Sequence, residues 1–363
     1  MNINDKGYIK KVTRVGVFLL LFSLVNLFAS SPAHAEMEST AYLSIDGKLV
    51  KTNYVMQEGH LMVPALFFKH TGATVDFNET YQSIAVERNN IAALPLEKNY
   101  MDYYVKEQNK WKRDYIKTTT TTINGSIYIP LLPTAQKLDM NVTYDPAIQR
   151  TFIETNEAPA EIPKAYNSGN TAQKKIALTF DDGPDQTITP QILDILKEKN
   201  VPATFFVVGQ QVSYFPETAR RIVKEGHTLA NHSWDHSQLT KEYSSQVAEQ
   251  VLSTNKIIKK VTGEEPTLFR PPYGDFTRAD AQLFEQLGFR NILWSIDTLD
   301  WSGTTASEMI EMIDREKSPG AIVLQHSFSS SKLEGTVEAL PQIIAQLRND
   351  GYEFVTIDQM AFQ

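Results

Sequence analysis

Ile176-Ala177-Leu178-Thr179-Phe180-Asp181-Asp182-Gly183-Pro184 is the stretch on which the fold turns. A short apolar run that ends in two adjacent carboxylates and a Gly-Pro pair reads as a buried strand followed by a loop. Outward from it the same unit recurs. Further strand-like runs lie at 204–208, 228–231, 268–270, 291–295, 321–325 and 353–356. Helical stretches fall between most of them, at 190–199, 216–225, 245–261, 278–287, 306–316 and 337–349. Seven β/α-like repeats predict an α/β fold built on a parallel barrel, smaller than the usual eight-fold one. An open doubly wound sheet is the alternative. No G-x-G-x-x-G or phosphate-binding loop follows any run, so a nucleotide-binding role has little support.

The residues that carry chemistry stand at the ends of these runs. Asp181 and Asp182 follow the first, His232 and His236 the third. Arg270 closes the fourth, Asp297 and Asp300 follow the fifth, and His326 follows the sixth. In parallel barrels this is the end at which active sites are built. In His232-Ser233-Trp234-Asp235-His236 the two imidazoles are four residues apart, which on one helical turn would aim both at one ion. Two solvated or capping histidines are the alternative. Adjacent Asp181 and Asp182 cannot both point the same way from a strand end, so one is able to ligate while the other stays free as a base. One Asp and two His leave coordination positions open, as a catalytic metal site requires. Taken alone, Asp-Asp-Gly-Pro would equally suit a turn with capping acids.

The chain has 363 residues, a net charge of −8 and no cysteine. The missing thiols exclude disulfides, thiol nucleophiles, iron–sulfur clusters and Cys-type zinc sites. The acidic balance argues against a general nucleic-acid partner. Lys6, Lys10, Lys11 and Arg14 precede an apolar run at 15–29 and the triplet Ala33-His34-Ala35, the order of an export signal ending at residue 35. The run is short for a membrane span, although an uncleaved anchor is the alternative. Removing residues 1–35 leaves a net charge of about −11 and no stable membrane span. A secreted or wall-associated location follows.

Between the signal and the barrel, residues 36–155 show short alternating segments suited to half-buried strands in a smaller α+β module. Gly59-His60-Leu61-Met62-Val63-Pro64 and Gly125-Ser126-Ile127-Tyr128-Ile129-Pro130 begin two copies of a hairpin–helix–strand pattern about 66 residues apart. His60 and His70 lack a tight ligand spacing. Thr118 to Thr122 suit a strand or its approach. Residues 156–173, with prolines, glycine and small polar residues, read as a linker to the barrel at 174–363.

Five ordered motifs give the chain a family resemblance: Thr179-Phe180-Asp181-Asp182-Gly183-Pro184, Asn231-His232-Ser233-Trp234-Asp235-His236, Arg270-Pro271-Pro272-Tyr273-Gly274, Asp297-Thr298-Leu299-Asp300-Trp301 and Leu324-Gln325-His326. Together they resemble the NodB-homology polysaccharide deacetylases, carbohydrate esterase family 4. The repeat module resembles the copper amine oxidase N-terminal-like domain, a name that implies no copper. The first resemblance implies a distorted (β/α) barrel and a divalent metal, zinc before cobalt, nickel or manganese, held by Asp182, His232 and His236. It implies Asp181 as catalytic base paired with Arg270, and His326 as acid paired with Asp300. It also implies the main-chain N–H of Tyr273 as an oxyanion donor, and a pocket lined by Leu324 and Trp301. The implied reaction is removal of N-acetyl groups from N-acetylglucosamine residues of an extracellular polysaccharide, with peptidoglycan favoured. An O-acetyl esterase on xylan or another polysaccharide, and a catalytically silent wall-binding protein, are the alternatives. The repeat module would dock on wall polymer or on the barrel. Trp294 and His227 suit structural positions. Asp297 suits a structural or supporting role, and Asp235 has no assigned one. Ser327 follows His326 where many family members have Asp, which bears on contacts at the rim, beside Ser329-Ser330-Ser331.

Overall fold

A computed structural model describes residues 38–156 and 163–362. The export signal read at 1–35 lies outside them, as do residues 157–162 of the expected linker. Among the described residues no helix is long and apolar enough to cross a membrane.

The C-terminal part is a parallel sheet that curls into a distorted barrel. Its strands run in the spatial order Ala165–Tyr166, Arg290–Ile292, Leu268–Phe269, Thr228–Asn231, Thr204–Val207, Lys175–Asp181, Ala321–His326 and Ile296–Asp297, and Glu353–Phe354 also pairs with Lys175–Asp181. Arg290–Ile292 and Ile296–Asp297 lie toward opposite ends of that order yet belong to one run of chain, so the sheet curls until its two ends are joined by residues 293–295. The single strand expected at 291–295 is therefore two short ones. The chain stops pairing with Leu268–Phe269 and starts pairing with Ala321–His326. Another difference lies at 156–173, where Ala165–Tyr166 adds a parallel strand beside Arg290–Ile292. The helix Gly209–Tyr214 was also not foreseen, being too short to show a period.

Strand alternation explains how the site is aimed. Ile176, Leu178, Phe180, Phe205 and Val207 pack with the surrounding helices. Ala177, Phe206, Ala230, Ile292 and Ile322 form a separate cluster in the interior. With successive side chains on opposite faces, Thr179 and Asp181 share the face of Ala177 and bring a carboxylate to the inner mouth of the barrel.

The N-terminal part holds a seven-stranded and a five-stranded sheet. The two sequence copies meet each other. His60–Pro64 and Ser126–Pro130 pair antiparallel with Val63 opposite Ile129, the equivalent positions of the repeat, so a local two-fold axis passes through that pair. In the first copy the short helix is the 3-10 turn Ala65–Thr71, and in the second it is the α-helix Leu131–Lys137. Thr121–Ile123 supplies a strand, while Thr118 and Thr120 are buried beside it.

His227 is structural, as expected. It is buried, its Nδ1 accepts from the Ala203 N–H at 3.2 Å, and its ring meets Phe205 edge-on. Burial pushes its pKa down from 6.5 to about 4. The unfolded chain therefore binds an extra proton here between these values, and the stability this neutral ring confers is lost as pH falls from 6.5 through 4. His227→Phe is expected to flatten the pH dependence of the thermal midpoint across that window. An unchanged slope in matched melts would count against this account.

Candidate active site

The loop that carries His232 and His236 is not a helix. Residues 232–236 follow the strand Thr228–Asn231 as irregular chain, with left-handed backbone at Ser233 and His236, φ 67° and 64°. The expected shared helical face is thus replaced by a loop that folds both rings inward. Gln250, on the helix Ser244–Thr262, shapes it by accepting from the N–H groups of Trp234 and Asp235 and donating to Asp235 Oδ1. Asp235, unassigned from sequence, also accepts from Ser237.

Asp182 leaves its strand with φ 72° and turns its carboxylate toward the same point. Its Oδ1 lies 3.4 Å from His232 Nε2 and 3.3 Å from His236 Nε2. Ligand atoms about 2 Å from a tetrahedral metal stand roughly 3.3 Å apart. Asp182 Oδ1 is buried and accepts no hydrogen bond among the described residues, an orphaned acceptor that a cation would satisfy. The Nδ1 of His232 meets the Arg270 carbonyl at 2.7 Å, which fixes the tautomer that leaves a lone pair on Nε2. Burial opposes the Asp182 anion, but His232, His236 and His326 outweigh it and hold its pKa at about 2. These residues fit a divalent metal.

Two ion pairs flank the triad. Arg270 Nη1 donates to Asp181 Oδ1 at 2.7 Å, both side chains being almost fully buried. Asp300 Oδ1 meets His326 Nδ1 at 2.7 Å, while Oδ2 accepts from the His326 N–H and from Thr336. Burial disfavours charged His326, but Asp300, with Asp182 and Asp181, overcomes it and raises the pKa to about 9. Asp181 and His326 are direct neighbours across adjacent strands.

The polysaccharide deacetylase family model matches residues 168–292, and the copper amine oxidase N-terminal domain model matches residues 44–153. A solved structure of the Bc1960 peptidoglycan N-acetylglucosamine deacetylase is 38% identical and superposes with a TM-score of 0.55, covering 56% of this chain and 94% of that one. This chain belongs to the polysaccharide deacetylases of carbohydrate esterase family 4. The peptidoglycan-N-acetylglucosamine deacetylase PgdA of Listeria monocytogenes is 37% identical over 257 residues, covering 70% of this chain and 53% of its own length. The chain thus spans about half the length of that relative. The peptidoglycan-N-acetylmuramic acid deacetylase PdaC of Bacillus subtilis is 29% identical over 328 residues, 90% of this chain and 67% of its own.

Within this polysaccharide deacetylase, the remaining expected residues ring the same mouth. Tyr273 has φ 61°, is largely exposed, and sets its ring 4.7 Å from that of His236. Trp301 is half exposed, whereas Leu324 is buried in its strand. Trp294 is more than core packing: it lies beside Arg270 and would collide with a side chain at Gly274. Burial raises the pKa of Asp297, whose Oδ1 accepts from the Leu299 N–H. Ser327 is not at the rim. It is fully buried, its N–H donates to the Asp181 carbonyl at 2.9 Å, and its Oγ sits where a Cβ on Gly183 would fall. Gln250 and Thr336 escaped sequence reading because each lies on a helix far along the chain from the group it supports.

Replacing Arg270 with Met would leave Asp181 buried without its partner, at a cost of about 3–5 kcal/mol. Urea denaturation of metal-stripped protein should show that loss, and equal stability of the two proteins would refute the buried pairing.

Proposed function

We propose that the chain is an exported, metal-dependent hydrolase that removes the acetyl group from N-acetylglucosamine residues of peptidoglycan. One observation carries this: an Asp-His-His metal triad, an arginine-held carboxylate and an aspartate-held histidine share one barrel mouth. Amide hydrolysis needs a base for water, an acid for the departing amine and stabilisation of the carbonyl oxygen. Asp181, paired with Arg270, is the base. His326, oriented through Nδ1 by Asp300, holds a proton on Nε2 for the leaving nitrogen. Asp182, His232 and His236 would hold the ion, zinc being the choice their two nitrogens and one oxygen favour over cobalt, nickel or manganese. When bound, it supplies Lewis acidity. Tyr273 offers its main-chain N–H to the carbonyl oxygen, while Leu324 and Trp301 take the acetyl methyl and the sugar face.

The relatives' names support a peptidoglycan substrate, with N-acetylmuramic acid as the other sugar to be tested. The leader read at 1–35 supports export. We assign residues 36–155 to the repeat module, 156–173 to the connection and 174–363 to the catalytic barrel.

Incubation with peptidoglycan should release acetate and convert N-acetylglucosamine to glucosamine, and a chelator should stop it. Activity that survives full metal removal would refute the mechanism. Conversion of muramic residues alone would reassign the sugar. Asp181→Asn is expected to lose turnover by several orders of magnitude while still binding metal. His326→Ala should slow an acetamide more than an acetate ester, because an amine needs protonation on leaving and an alkoxide needs it less. Equal slowing, read in paired rate measurements, would remove His326 from the role of acid.

A further inference from the structure

Lys69 is a fully buried cation of the repeat module, and its polar partners among the described residues lie in the barrel. Its Nζ is 2.8 Å from Asp280 Oδ1 and donates to the carbonyls of Leu239 at 2.9 Å and Glu242 at 2.8 Å. The ammonium thus has two carbonyl acceptors and one carboxylate counter-ion. Burying such a charge is expensive unless it is paired and hydrogen-bonded, so the site is specific rather than incidental.

The partners flank the metal-binding loop. Leu239 lies three residues after His236, and its carbonyl is turned to Lys69. Asp280 belongs to the helix Arg278–Gln286, which begins five residues after Tyr273. Between them, Asp275 Oδ2 accepts from Gln238 at 2.7 Å and Thr240 at 2.9 Å, tying the His236 loop to the Tyr273 loop. The module also grips the helix that carries Gln250. Asp76 Oδ1 accepts from the Ser245 N–H at 2.8 Å, and the Val75 N–H donates to Ser244 Oγ at 3.1 Å. Left-handed backbone at Ser233, His236 and Tyr273 costs free energy that only the surroundings can sustain.

We infer that Lys69 is a positioning residue for the metal-binding loop, which makes the repeat module a brace for the catalytic centre. Its ammonium holds Leu239, Glu242 and Asp280 in the register that presents His236. This rests on the metal reading given above.

The test is a zinc titration of the metal-stripped mature chain by calorimetry, with circular dichroism and thermal melts as the check on folding. Lys69→Met is expected to weaken zinc binding by roughly 10-fold, as loss of a supporting contact typically does. Because that variant leaves Asp280 unpaired, the double variant Lys69→Met/Asp280→Asn removes both charges and should show the same weakening in a folded protein. Arg278→Gln breaks another contact of the same interface, the 2.8 Å pair with Asp46, without removing a partner of Lys69, and should leave zinc affinity unchanged. Variants at Lys69 that fold and bind zinc as tightly as wild type overturn the inference. So does an equal loss in Arg278→Gln, which would make the effect one of general docking. A wild-type chain that takes up no zinc overturns the metal reading together with this one.

Discussion

The buried guanidinium of Arg270 is the constraint on which the site depends. It fills the barrel interior over the ring of Phe206 and donates to Asp181 and Thr179 on the first strand. It also donates to the carbonyls of Ile292 and Leu293, where the strand breaks and the sheet turns to close. Its own carbonyl meets His232 Nδ1. One residue therefore joins the Asp181 carboxylate, the orientation of the His232 ring and the distortion of the barrel. An arginine suits this because its fork offers several donors in fixed geometry and stays charged when buried. Burial lowers its pKa while Asp181 opposes that shift, so each ion makes the other tolerable in a dry interior.

Much of this was legible in the sequence, for physical reasons. The strands Thr228–Asn231 and Lys175–Asp181 read clearly because parallel strands covered on both faces form continuous apolar runs. The first-motif aspartates and the two histidines could be singled out because a metal site needs few residue types. Local geometry was less legible. The i,i+4 spacing suggested a helical turn, yet residues 232–236 form a strained loop, because Gln250 satisfies the Trp234 and Asp235 N–H groups in place of a helical ladder. The break after Ile292 was hidden because it depends on which neighbours the chain meets, not on its own residues. Ser327 looked like a rim substitution but packs under Asp181 and against Gly183, a contact across adjacent parallel strands that one strand's pattern cannot show.

The last hairpin of the five-stranded sheet in the repeat module was also hidden from alternation. Tyr100–Val105 and Lys110–Tyr115 carry aromatic and charged residues on the open face, where Tyr100 faces Tyr115, Asp102 faces Arg113 and Tyr104 faces Trp111. Cross-strand aromatic contacts and the bidentate Asp102–Arg113 pair stabilise such a hairpin without a second apolar layer. An exposed face rich in aromatics and charges reads poorly as strand because half of its signal, the buried face, is reduced here to Met101 and its neighbours.

Backbone strain orders these observations. Asp182, Ser233, His236, Tyr273 and Leu299 all take left-handed conformations that side chains resist, and all lie in the loops at the mouth of the barrel. Each such residue costs on the order of 1–2 kcal/mol. Strain of this size persists only where neighbouring contacts over-determine it, and the two halves of the site are secured in different ways. Asp182 is secured by the strand that precedes it and by Ser327 beneath Asp181. The histidine and tyrosine loops leave the short strands Thr228–Asn231 and Leu268–Phe269, and the contacts that hold their far sides come from Gln250, Asp275 and the Lys69 cluster. A barrel with this loop set and without cysteine has no covalent means of stiffening them. Side-chain hydrogen bonds and a buried ion pair from neighbouring elements are the remaining means, and they are found where these loops need them.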